Sequence, residues 1–167
     1  MFKEKFMKKL IAIVYVFMCS YTGYAQCNIQ TNSRADGVVI RYLRPELVAA
    51  NEKLEVGFSI QTNGSSYYLA TMIRYLSTAS APGDLTISNE LNQSSILKLY
   101  RAEKTYLKGS DVYLAVYILS KQDIKKFTSS NLKYIMFRTS DNTLNGLKIS
   151  KNNDVIISQY QCLTSHR

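Results

Sequence analysis

Leu54, Val56, Phe58 and Ile60 alternate with Glu55, Gly57, Ser59 and Gln61. A period of two places four apolar side chains on one face of a strand and small or polar ones on the other. Asn63-Gly64 follows, the pair best suited to the positive φ angles of a type I′ hairpin turn. Beyond it lies a β-rich stretch, 65–77, with Tyr67, Tyr68, Ile73, Tyr75 and Leu76. A hairpin of this kind is not stable alone, so the chain must supply further strands or a helix to cover its apolar face.

The remaining sequence supplies them. Asp36-Gly37 turns the chain into 38–43 (VVIRYL), which Pro45 ends or leaves at an edge, because proline cannot donate to a ladder. Pro82-Gly83 precedes 85–87 (LTI), and Asn92-Gln93-Ser94 separates this from 96–101 (ILKLYR). Lys108-Gly109-Ser110-Asp111 introduces 112–120 (VYLAVYILS), which is apolar on both faces and reads as a central strand. Two more segments follow, 132–139 (LKYIMFRT) and the residues after Asn145-Gly146 (LKIS). The predicted class is mainly β: an antiparallel β-sandwich or curved sheet of about 7–8 strands with one or two short helices.

One helix is predicted over 121–127, where Ser120 and Asp123 are spaced as a capping box before Ile124 and Phe127. The segment 153–163 (NDVIISQYQCL) reads two ways. Val155, Ile156 and Ile157 are β-branched and suit a strand, whereas Asn153 or Asp154 can start a helix with Ile156, Tyr160 and Leu163 on one face. The recurrence at three and four favours the helix. No repeat, linker or low-complexity tract divides the chain, so 26–167 reads as a single β-rich domain.

Residues 1–25 read as an export signal. Lys3, Lys5, Lys8 and Lys9 form a basic n-region, and 10–18 (LIAIVYVFM) an apolar h-region of nine residues. A membrane span needs about 20. Gly23 and Ala25 put small residues at −3 and −1 of a cut before Gln26, and Met7-Lys8-Lys9-Leu10 is an alternative start of the same signal. The style is bacterial, and the expected location is periplasmic or extracellular, with no transmembrane segment in the mature chain. Asn63-Gly64-Ser65 and Asn92-Gln93-Ser94 match the N-glycosylation pattern but read as turns.

Cleavage leaves two cysteines, Cys27 and Cys162, at the extremes of the mature chain. In an oxidising compartment such a pair is most simply a disulfide. A lipoprotein anchored through Cys27 is the minority reading, because a lipobox needs a small residue before the cysteine and Gln26 stands there. A redox centre would show Cys-x-x-Cys spacing, which is missing.

Catalytic machinery is hard to find. The sole histidine, His166, lies next to the C-terminus, so neither a histidine-based metal site nor a nucleophile with an imidazole base is indicated. Phosphate-loop, dinucleotide, nucleophile-elbow and EF-hand patterns do not occur. No cofactor is expected. Paired carboxylates remain an option for a small hydrolase, with Asp36, Glu46, Glu52, Glu55, Asp84, Glu90 and Glu103 among the acids. The signal takes four of the 21 basic and one of the 12 acidic residues, leaving 17 against 11, a net +6. The basic residues are scattered, the tightest clusters being Lys121/Lys125/Lys126 and Arg101/Lys104/Lys108. That allows an anionic-polymer binder but does not make the basic stripe of a nucleic-acid partner.

Tyrosine is the real excess. Tyr67, Tyr68, Tyr113 and Tyr117 fall on strands and are the candidate binding surface, with Arg74, Arg101 or Lys104 beside them to complete a glycan or peptide platform. The competing explanation is packing, since tyrosines at these positions point to both faces. The expected function is therefore a small exported non-catalytic module of the bacterial cell envelope, binding or structural, with a protein or glycan partner.

Overall fold

The computed structural model describes residues 27–165. The segment read as an export signal, its expected cut site and His166 lie outside the described residues. Among the described residues there are eleven strands and two helices: β1 (Gln30–Ser33), β2 (Val39–Tyr42), β3 (Glu46–Ala50), β4 (Leu54–Thr62), β5 (Tyr67–Tyr75), β6 (Pro82–Asn89), β7 (Ser94–Leu97), β8 (Leu99–Leu107), β9 (Ser110–Leu119), α1 (Lys121–Thr128), β10 (Leu132–Thr139), β11 (Leu144–Lys148) and α2 (Val155–Ser165). They form two antiparallel sheets, one in the order β1-β2-β4-β5-β9-β8 with β3 also on β4, the other β11-β10-β6-β7. The larger sheet is curled into a half-barrel.

The mainly β class holds, with three strands more than the sequence pattern reveals. Two of them, β1 and β3, are short and lie at edges. The third comes from splitting 96–101. The chain leaves the smaller sheet at Leu97 and enters the larger one at Leu99. Asp84 fixes the crossover by bonding the Lys98 ammonium and accepting from the Leu99 backbone N–H at 3.1 Å.

Leu54, Val56, Phe58 and Ile60 of β4 face the core, as their alternation predicts, together with Leu69 and Ile73 of β5. Opposite them the smaller sheet contributes Leu85, Ile87, Ile135, Phe137 and Leu147. The helices close the core with Phe127 of α1 and Val155, Ile156 and Leu163 of α2. Each such side chain is worth about 1.5–3 kcal/mol on burial. The capping box of α1 forms as predicted: the Asp123 N–H donates to Ser120 Oγ at 3.1 Å, and the Ser120 N–H to Asp123 Oδ2 at 3.0 Å. The ambiguous segment is helical, and Cys162 on α2 is disulfide-bonded to Cys27 across 135 residues, with Cα atoms 5.5 Å apart.

Two strands share one edge of β4. β2 pairs with Gln61 and Thr62, β3 with Glu55 to Phe58, and Leu43-Arg44-Pro45 lies in the break between them. The Ile60 N–H, facing that break, donates to Gln159 Oε1 of α2 at 2.7 Å. Gln159 Nε2 donates in turn to the Arg44 carbonyl at 3.2 Å and to Glu46 Oε1 at 3.0 Å. A buried side-chain amide thus stands in for the missing piece of strand.

The turns correct one expectation. At the β4–β5 hairpin only Gly64 has positive φ, at 91°, so the turn is not type I′. Asn63 acts instead through its side chain, accepting from the Ser65 and Ser66 N–H groups at 3.1 and 2.8 Å. The two-residue turn with both φ positive is Lys108-Gly109, at 49° and 81°, joining β8 to β9. Lysine has no local hydrogen bond to offset the left-handed conformation, which costs a non-glycine residue roughly 1–2 kcal/mol. Lys108→Asn is therefore expected to stabilise the fold by about 0.5–1 kcal/mol, raising the calorimetric midpoint by roughly 2–3 °C. An unchanged or lower midpoint would refute that account of the turn.

Candidate functional site

The register of the larger sheet arranges its outer face, the one turned away from the core, in cross-strand rows. Tyr42, Gln61, Tyr68 and Ile118 form the first row, across β2, β4, β5 and β9. Ser59, Ala70, Val116 and Arg101 form the second, across β4, β5, β9 and β8. Gly57, Met72, Leu114 and Glu103 form the third. Because Ser59 and Gly57 are small, the β4 side of the face is low.

A trough of about 660 Å³ occupies this face, within the range of ligand sites. Asn32, Arg34, Ile40 and Tyr42 of the β1–β2 unit line one side, and Tyr100 and Arg101 of β8 the other. Gln61, Asn63, Tyr68 and Val116 complete it. A second depression of about 220 Å³ shares Tyr42, Gln61, Arg101 and Val116 and adds Pro45, Ala70, Met72 and Leu114. The two share lining residues and form one elongated groove, aromatic and polar at one end and mainly aliphatic at the other, where Glu103 lies beside Leu114.

A bulge puts β8 to use. Leu99 pairs with Tyr117 and Arg101 with Val116, so Tyr100 is an extra residue on β8. Its ring lies 6.2 Å from that of Tyr68, and it is 62% exposed. The two guanidinium groups are each steadied by a neighbour: Arg34 by Asp36 at 3.1 Å, and Arg101 through Nε by Glu103 at 3.4 Å. These pairs are exposed and worth at most about 1 kcal/mol each, so their effect is orientation rather than stability.

The candidate tyrosines divide by strand parity. Tyr68 lines the trough. Tyr67 and Tyr117 are buried on the core side, which corrects their assignment to a binding surface. Tyr117 is fully buried, its hydroxyl donates to the Gly83 carbonyl at 3.0 Å, and burial pushes its pKa up. Tyr113 also faces inward, half-buried and edge-on to Tyr75 at 6.1 Å. Burial raises the Tyr75 hydroxyl to about 12, with Tyr113 and Asp141 adding to the shift, and the hydroxyl donates to the Ser80 carbonyl at 2.8 Å. Adjacent residues on a strand point to opposite faces, so Tyr67 and Tyr68 could never share a surface. Tyr42 and Tyr100 take the vacated places, and only long-range pairing and the bulge bring them there. Of the flanking basic residues, Arg101 lines the trough, while Arg74 pairs with Glu55 and Lys104 with Asp111.

Glu103 is the acid that lines the groove, and it is engaged by Arg101. Among the described residues no group of three His, Cys, Asp or Glu side chains is placed to hold a metal ion. No described helix is long and apolar enough to cross a membrane. In the disulfide-bonded form the Cys27 sulfur has no valence for a lipid thioether. Comparison with family models, with curated proteins and with solved structures finds no match, so the residues themselves carry the functional argument.

Proposed function

We propose that this chain is an exported, non-catalytic binding module of the bacterial cell envelope that holds its ligand in the outer-face trough. The observation that carries the reading is the convergence of Tyr42, Tyr68, Tyr100, Arg34 and Arg101 with three amide side chains on a face free of core packing. Tyrosine and arginine are the side chains most enriched where binding energy concentrates, and amides fix ligand orientation. The disulfide between Cys27 and Cys162 supports an oxidising address, as does the signal-like sequence of residues 1–25.

Screening the protein against immobilised envelope glycans, peptides and lipids is expected to return at least one saturable ligand. Tyr68→Ala and Arg101→Ala should each weaken that ligand by about 5–30-fold, a truncation cost of about 1–2 kcal/mol. Arg101 is largely exposed and Tyr68 half-buried, so circular dichroism should show both variants folded. Full binding by both variants, or no ligand in any class, rejects the trough as the site.

A further inference from the structure

The sequence of β9 is apolar on both faces; the inner face is packed, and the outer face is packed at Val112 but open further along the strand. On the outer face Leu114 is 43% exposed between Met72 of β5 and Glu103 of β8, in the interior of the sheet, and Ile118, 49% exposed, lies one residue beyond the end of the β8 pairing. Met72, Ala70 and Val116 adjoin them, and Pro45 closes the far side of the depression. The other end of the same groove carries Arg34 and Arg101. The lining thus changes along its length from guanidinium and amide to mainly aliphatic, with Glu103 on the β8 side of that end.

We propose that the trough takes an acidic amphiphile: a single acyl chain over Ala70, Met72 and Leu114, with its anionic head at Arg101 and Arg34. This rests on the trough being the ligand site. Backbone pairing decides between candidate chains. The β4–β5 and β5–β9 ladders are continuous beneath the aliphatic end, so their backbone groups are already paired. A polypeptide laid there would leave its own N–H and C=O groups without partners, and a glycan would set hydroxyls against Leu114 and Met72. An acyl chain has no polar groups to strand and gains from covering exposed aliphatic surface. At the head end, the Glu103 contact engages Arg101 through Nε, which leaves the terminal amino groups as the fork that takes a carboxylate or phosphate.

The test titrates the native protein with 11-(dansylamino)undecanoic acid, its methyl ester, and dodecyl phosphate as competitor. Saturable 1:1 binding of the acid is expected. Leu114→Asp should weaken acid and ester alike by at least about tenfold. Arg101→Gln should weaken the acid by about tenfold and leave the ester unchanged. Displacement by dodecyl phosphate assigns a general anionic head, and failure to displace assigns a carboxylate. Absence of saturable acid binding overturns the proposal, as does indifference to both substitutions in variants whose unfolding midpoints match the native chain. If the acyl probes fail while a glycan or peptide responds to Tyr68→Ala, the amphiphile is wrong and the trough stands. If no ligand responds to Tyr68→Ala, both fall.

Discussion

Replacing Cys27 and Cys162 together by serine is expected to destabilise the fold by about 5 kcal/mol, and to lower the calorimetric midpoint by roughly 15 °C. The bond spans 135 residues, nearly the whole described chain, and the loop-closure entropy it removes from the unfolded state is correspondingly large. Its local effect is larger than its length implies. Cys27 stands just before β1, whose last three residues are exposed and whose pairing is to β2 alone. β2 in turn has two register pairs with β4. Without the staple the β1–β2 unit loses its covalent tie to α2 and keeps the Arg41 guanidinium donating to the Leu163 carbonyl at 3.2 Å, and it supplies Asn32, Arg34, Ile40 and Tyr42 to the trough. Ligand affinity should therefore fall in the serine variant below its unfolding temperature, and hydrogen exchange in 30–42 should accelerate before that of β4 or β5. A single serine variant should match the double, since either breaks the bond. A stability loss under about 1 kcal/mol would show that the unfolded chain is compact enough already for the tie to constrain little.

Local periodicity made the β4–β5 hairpin and α1 legible: both are specified by residues within a few positions of one another. The helix at α2 was legible only in outline. Its β-branched start, Val155-Ile156-Ile157, favours a strand locally, but a helix buries Val155 and Ile156 in the core and sends Gln159 to the break in β4. What the sequence could not show depends on distant residues. No glycine, proline or other turn residue interrupts 96–101, and the split at Lys98 comes from Asp84 on another strand. β3 (Glu46–Ala50) follows a proline and lacks alternation, so nothing local marks it as a strand. The candidate site was half legible for the same reason. Tyr68 and Arg101 were named among the candidates, but which face each tyrosine takes is set by register, and Tyr100 reaches the trough through a bulge.

Gln159→Leu is expected to cost about 3 kcal/mol and to lower the midpoint by roughly 10 °C, an effect large for a substitution that roughly keeps side-chain bulk and lets α2 pack. Gln159 is 1% exposed, and its amide serves the Ile60 N–H, the Arg44 carbonyl and Glu46 at once. Leucine fills the space but leaves a buried donor and a buried acceptor facing each other without a bridge. Each costs about 1–3 kcal/mol when unsatisfied. Gln159→Ala should be worse by about a further 1–2 kcal/mol, because the lost methylenes add a cavity to the lost bonds. Urea titration of the two variants separates the contributions, since leucine reports the polar loss and alanine the polar loss with the void. A Gln159→Leu variant within about 0.5 kcal/mol of the native chain would mean that water enters the break and satisfies both groups. The same break borders the trough: the Ser59 hydroxyl donates to the Leu43 carbonyl across it, and Ser59 and Pro45 line the aliphatic end. Loss of the Gln159 bridge should loosen that end first, so ligand contacts at Leu114 should weaken while those at Tyr68 persist.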